Sequence, residues 1–74
     1  MDLSQIRTGL KVRVAKLKST TGLSIDQELI NNRKMGVTGV LQKWVPGHGG
    51  DMWYVKHDNG KMAVYAFDEL EKLE

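Results

Sequence analysis

His48 and His57 are the only histidines in the chain, and each has an aspartate close by, Asp51 and Asp58. Imidazole with carboxylate is a set that can ligate a metal or move a proton. The spacing does not suit either task. No His-x-x-His or His-Glu-x-x-His run occurs, so two ligands would not project from one face of one element. No metal is expected; His57 reads as a hairpin cap and His48 as a loop residue. The run Gly47-His48-Gly49-Gly50 could turn backbone N–H groups toward a phosphate. A phosphate loop would close on Gly-Lys-Ser/Thr, and Asp51 stands there instead, which repels anions. No Gly-x-Ser-x-Gly or comparable nucleophile setting is present. The expectation is a protein that is not an enzyme and carries no cofactor.

Binding chemistry is better represented. Trp44, Trp53, Tyr54, Tyr65 and Phe67 are five aromatics in 74 residues. Some must fill the core, because each ring buries a large area. Alternation along 52–57 sets Trp53, Val55 and His57 on one face and Met52, Tyr54 and Lys56 on the other. Whichever face is inward, the other offers an aromatic to solvent. Exposed rings beside loops take prolines, methylated lysines or nucleobases. Trp44, His48, Trp53 and Tyr54 are therefore the candidate partner-binding residues.

Charge offers a second candidate. Arg7, Lys11, Arg13, Lys16 and Lys18 fall within twelve residues that hold no acid. Lys11 and Arg13 share a strand face with room for phosphates, and Lys11, Arg13, Lys16 and Lys18 form the nucleic-acid alternative. Residues 1–45 carry eight Lys/Arg against three acids, and residues 46–74 three against six. If the first and last strands pair, the basic 11–16 segment lies beside the acidic 69–74 segment and the charges offset each other. That structural reading is preferred to the nucleic-acid one.

These residues need a frame. Leu10, Val12 and Val14 alternate with Lys11 and Arg13, the period of a half-buried strand. Ala15 and Leu17 break the phase, which points to a bulge or strong coil near Lys16. Strands are expected near 10–17, 36–45, 52–57, 62–66 and 70–73. Asp58-Asn59-Gly60 is a hairpin turn, with Asn-Gly supplying positive φ. Phe67-Asp68-Glu69-Leu70 reads as a 3-10 turn, and Pro46 to Asp51 as a loop. Residues 18–35 form a long connection, either mobile or holding one or two helical turns. There Ser24 caps, Gln27 reaches back, Ile25, Leu29 and Ile30 share a face, and Asn31-Asn32 ends the helix.

The fold class is thus all-β, five strands with a long first loop and a 3-10 turn before the last strand, in a single domain spanning 1–74. A chain of this length supports only a thin core. There is no cysteine, which fits a reducing compartment. The start of the chain has no apolar run, so neither signal peptide nor membrane span is expected and the cytoplasm is the default. Oligomeric state is not legible.

The order of these elements resembles an SH3-like barrel over residues 9–74. Within that superfold, Val37-Thr38-Gly39-Val40 and Val55-Lys56-His57-Asp58-Asn59-Gly60 followed by Tyr65 look like the small domain of mind-bomb-type ubiquitin ligases, with His57 where that family favours Trp. The layout is also similar to type II dihydrofolate reductase, a tetrameric barrel enzyme with a Val-Gln-Ile-Tyr stretch in its pore. Met62-Ala63-Val64-Tyr65 is the matching stretch, and Ala63 in place of Gln argues against that activity. The resemblance implies that the 18–35 and 46–51 loops sit at one end of the barrel; because loops on a rigid scaffold usually carry recognition, the expectation is a binding or adaptor module that takes a protein or peptide through those loops and the nearby aromatics. The alternatives are a nucleic-acid-binding barrel and, behind it, an oligomeric enzyme around Tyr65.

Overall fold

The computed structural model describes residues 6–48 and 51–73. Five antiparallel strands carry the fold: β1 (Lys11–Val14), β2 (Thr38–Trp44), β3 (Met52–His57), β4 (Met62–Ala66) and β5 (Leu70–Lys72). Their order in the sheet is β4-β3-β2-β1-β5. The first strand therefore pairs with both the second and the last. A helix, α1 (Gln27–Asn31), interrupts the long first connection, and a 3-10 turn at Phe67–Glu69 leads into β5. Among the described residues no helix is long and apolar enough to cross a membrane.

Apolar side chains collect on both faces of the sheet. Inside the curl lie Leu10, Val12, Val14, Leu41, Val55, Ala63, Tyr65 and Leu70, with Ile6, Val37 and Trp53 packed against them. Behind the β3–β4 hairpin, Val45, Met52, Val64 and Ala66 form a second cluster. Leu23, Ile25, Leu29 and Ile30 from the long connection cover it, together with Tyr54. The connection is thus a packed segment: its apolar residues close the outer face of β4, a strand buried on both sides.

Local signals differ from the expected ones in four places. β1 ends after Val14, because the amides of Ala15 and Lys16 both turn to the Glu69 carbonyl, at 2.8 and 3.3 Å. Two successive amides on one carbonyl set two residues against one, as in a bulge, so the break in phase near Lys16 falls where the strand ends. A second irregularity, not expected, lies in β2 between Leu41 and Lys43, where Gln42 has no register partner. Asp26 rather than Ser24 caps α1, its carboxylate accepting the Glu28 N–H at 3.0 Å. Gln27 reaches forward to Asn31 at 2.9 Å, and Asn32 ends the helix with right-handed φ of −78°. In the distal turn only Gly60 has positive φ, +91°. The Gly60 N–H bonds the His57 carbonyl and the His57 N–H the Lys61 carbonyl, both at 2.8 Å. One left-handed residue suffices for this three-residue loop.

Gly39 fixes how closely β2 and β3 approach. A Cβ there would lie 2.5 Å from the Lys56 carbonyl oxygen and 3.0 Å from the His57 Cα, both immovable backbone. Gly39→Ala is expected to destabilise the fold by about 1–3 kcal/mol, the usual cost of overpacking. Gly60→Val should cost more than about 1 kcal/mol, since a β-branched residue fits positive φ poorly. Urea titration checks both, and an unchanged midpoint in either variant contradicts the corresponding geometry.

Candidate functional site

Where the long connection meets the 45–51 loop there is an open cleft of about 230 Å³, lined by Lys18, Ser19, Leu23, Arg33, His48, Asp51, Met52, Ala66 and Glu69. The two loops expected to lie together do so. The floor is an ion pair between Arg33 and Glu69, whose side chains are 5% and 1% exposed. Glu69 comes from the 3-10 turn and accepts four donors. Arg33 supplies both guanidinium amino groups, Nη1 at 2.9 Å, and the backbone N–H groups of Ala66 and Lys18 add bonds of 2.7 and 2.6 Å. Arg33 also donates to the carbonyls of Val64, at 2.8 Å, and Lys18, at 3.3 Å. Its guanidinium carbon lies 5.1 Å from the centre of the Tyr65 ring.

The network continues inward. The Lys34 N–H donates to the Tyr65 hydroxyl at 2.9 Å, and that hydroxyl lies 2.8 Å from His57 Nε2. The Tyr65 hydroxyl thus joins the Lys34 backbone to the His57 ring through one oxygen. Burial lowers the His57 pKa from its ordinary 6.5, against an opposing pull from Asp58. Burial also raises that of Tyr65. His57 is thus an interior hydrogen-bonding group; its backbone closes the hairpin while its ring turns inward. His48 lines the cleft instead, and among the described residues no three metal-ligating side chains converge.

The aromatics separate. Trp44 stands opposite Trp53, which stands opposite Tyr65, so the three form one row across β2, β3 and β4. Tyr65 is fully buried, Trp53 is half-buried, and Trp44 is 51% exposed. Trp53 Nε1 is buried without a hydrogen-bond partner among the described residues. Tyr54 projects to the other face, half-buried, with Lys43 Nζ 5.7 Å from its ring centre. The free aromatic expected on the outer face is therefore largely covered, and Trp44 is the exposed ring.

The basic stripe is partly neutralised. Arg13 Nε donates to Glu71 at 2.6 Å, and Lys18 Nζ to Asp68 at 2.7 Å. The hydrogen bond to Asp68 raises the Lys18 pKa, and the same bond lowers that of Asp68. Lys11 and Lys16 are exposed. First and last strands thus offset each other's charge. Gly49 and Gly50 lie outside the described residues, and with them the reading of that loop as an anion cradle. Arg33 and Glu69 escaped the sequence reading. They pair across 36 residues, and the one hint was a charge set among residues that pack, between Phe67 and Leu70. No family model matches the chain, and neither the curated proteins nor the solved structures contain a significant match to it.

Arg33→Met leaves a buried carboxylate uncompensated, so a loss of about 3–5 kcal/mol is expected by urea titration. A loss below about 0.5 kcal/mol would show the pair to be dispensable. For His57 the folded pKa lies below the unfolded one. Its contribution is complete above pH 6.5 and shrinks as pH falls toward the folded value, because the unfolded chain takes up the proton first. His57→Gln, which keeps a hydrogen-bonding group for Tyr65, should flatten that acid limb of the stability–pH curve. An unchanged limb would assign the effect to other groups.

Proposed function

We propose that this chain is a small binding module that recognises a protein or peptide on the face carrying Trp44, Trp53 and the adjoining 45–51 loop. The observation that carries the reading is Trp44. A tryptophan half out in the solvent, opposite a second tryptophan at the end of β2, keeps apolar area that folding leaves uncovered. Interface energy concentrates in such residues, with tryptophan the most enriched. The same loop carries His48 and Asp51 into the cleft, which adds polar groups from Lys18 and Ser19. Two loops side by side on a rigid sheet are a common recognition arrangement. The element order of SH3-like barrels accords with it, and kinship with that superfold and with the mind-bomb-type domain belongs to the same proposal.

The other readings find less support. Arg13 and Lys18 are held by Glu71 and Asp68, which weakens the first-strand stripe as a nucleic-acid surface. Tyr65 is buried and committed to Lys34 and His57, and Ala63 is buried in the core. Neither is placed to meet a substrate, which weighs against a reductase-like site.

A peptide library panned on the purified protein tests the proposal. Selected peptides should bind Trp44→Ala at least about tenfold more weakly than the parent, the scale of one interfacial hot spot. Because Trp44 is exposed, the variant should keep the parent's thermal midpoint within a few degrees. Peptides that bind both proteins equally would move the site elsewhere.

A further inference from the structure

We infer that the outer face of β2 and β3 is a second interaction surface, built to hold a single-stranded nucleic acid, with one base seated in the depression beside Tyr54. The register places its parts. Lys11, Val40, Lys56 and Met62 lie opposite one another in a row across β1, β2, β3 and β4. The next row on this face sets Lys43 against Tyr54. Lys11, Lys43 and Lys56 are exposed, and among the described residues none enters an ion pair. Lys11 is shared with the first-strand stripe, whose Arg13 and Lys18 are neutralised, whereas Lys43 and Lys56 lie on other strands and are free of ion pairs. It is also the side opposite Trp53 and Trp44.

Between the rows lies an open depression of about 370 Å³, lined by Gln42, Lys43, Tyr54 and Met62. Tyr54 and Met62 give it an apolar floor, and the Gln42 amide offers one donor group and one acceptor, the complement of a base edge. Lys43 joins Gln42 there because of the β2 bulge. Without that extra residue, Gln42 and Lys43 would take the register places that Lys43 and Trp44 now hold. Bulges re-aim side chains in this way at working sites. Lysines around an aromatic floor are the composition of single-strand binding surfaces, where rings stack bases and cations follow the backbone. An acidic peptide would use the lysines and leave the floor and the amide unengaged. The acids nearest the face stand at its margins: Asp58 accepts the Thr38 hydroxyl, Glu71 holds Arg13, and Glu28 borders the neighbouring depression with Lys61 and Met62.

Fluorescence anisotropy with a labelled twelve-nucleotide oligo(U) tests the inference. Binding is expected below about 100 µM at 50 mM salt, within the range for sequence-independent contacts. Three neutralised phosphates on a single strand predict a weakening on the order of 20-fold between 50 and 200 mM salt. Lys43→Glu with Lys56→Glu, both exposed positions, should abolish binding. Tyr54→Leu, which keeps an apolar side chain on the outer cluster, should weaken it at least about fivefold, the low end of one lost stack. Gln42→Ala reports on the same depression without touching that cluster. Trp44→Ala should leave oligonucleotide binding unchanged, so failure here and failure of the peptide-binding reading are separate results. Absence of binding at 50 mM salt would overturn the inference. So would binding that survives the double substitution, Tyr54→Leu and Gln42→Ala both binding as the parent does, or polyglutamate competing as well as unlabelled oligonucleotide at equal charge.

Discussion

The buried pair of Arg33 and Glu69 is the constraint around which the molecule is arranged. Two charges withdrawn from water are costly, and the cost is offset only when every lone pair and proton finds a partner. Here the partners come from four segments: the Lys18 backbone, the Val64 carbonyl, the Ala66 amide and the two charged side chains. Satisfying the pair therefore fixes both ends of the long first connection, the end of β4 and the 3-10 turn in one relation. The Tyr65 hydroxyl and the Lys34 amide extend the same relation to His57 in β3. The connection is thus located by a polar clasp as well as by its apolar contacts.

With the connection located, the second apolar cluster becomes possible. β4 would otherwise show Val64 and Ala66 to water on its outer side. Ile25, Leu29 and Ile30 arrive there because Arg33, a few residues later, is anchored beneath them. The inner and outer clusters share the β3–β4 pair as a common wall, which is why β4 is buried on both sides. The opposite side of the sheet, β1 and β2, has no such cover, and it is there that lysines face the solvent.

Much of this was legible in the residues. Period-two alternation located β3 to the residue and assigned Trp53 and Tyr54 to opposite faces, and the turn that follows set the start of β4. Asn59-Gly60 marked the hairpin, and the opposed charges of the 11–16 and 69–74 segments foretold the pairing of Arg13 with Glu71; that of Lys18 with Asp68 lies just beyond both segments. What escaped was non-local. The Arg33–Glu69 contact has no periodicity to announce it, and an isolated charge in a loop reads as solvated. His57 read as a turn residue because the sequence gives no sign of a hydroxyl waiting eight positions on. The β2 bulge left no glycine or proline as a marker. Of the residues singled out for binding, Trp44 and Trp53 are neighbours, His48 turns into the cleft, and Tyr54 belongs to another face. Sequence showed which side chains were unusual, and the sheet register decided which of them stand together.

β4 and β5 are the margins of the sheet. A margin strand ordinarily presents a line of unpaired carbonyls on which another chain can lay itself. On β4, two of the carbonyls directed away from β3 are already taken: Asn32 Nδ2 donates to that of Met62 at 2.8 Å, and Arg33 to that of Val64. Side chains from the connection thus fill the places a foreign strand would use. β5, only three residues long, offers little template. The residues that order the interior therefore also close the sheet laterally, and strand-by-strand growth into larger aggregates is blocked at the margin where the apolar hairpin would be its most tempting seed.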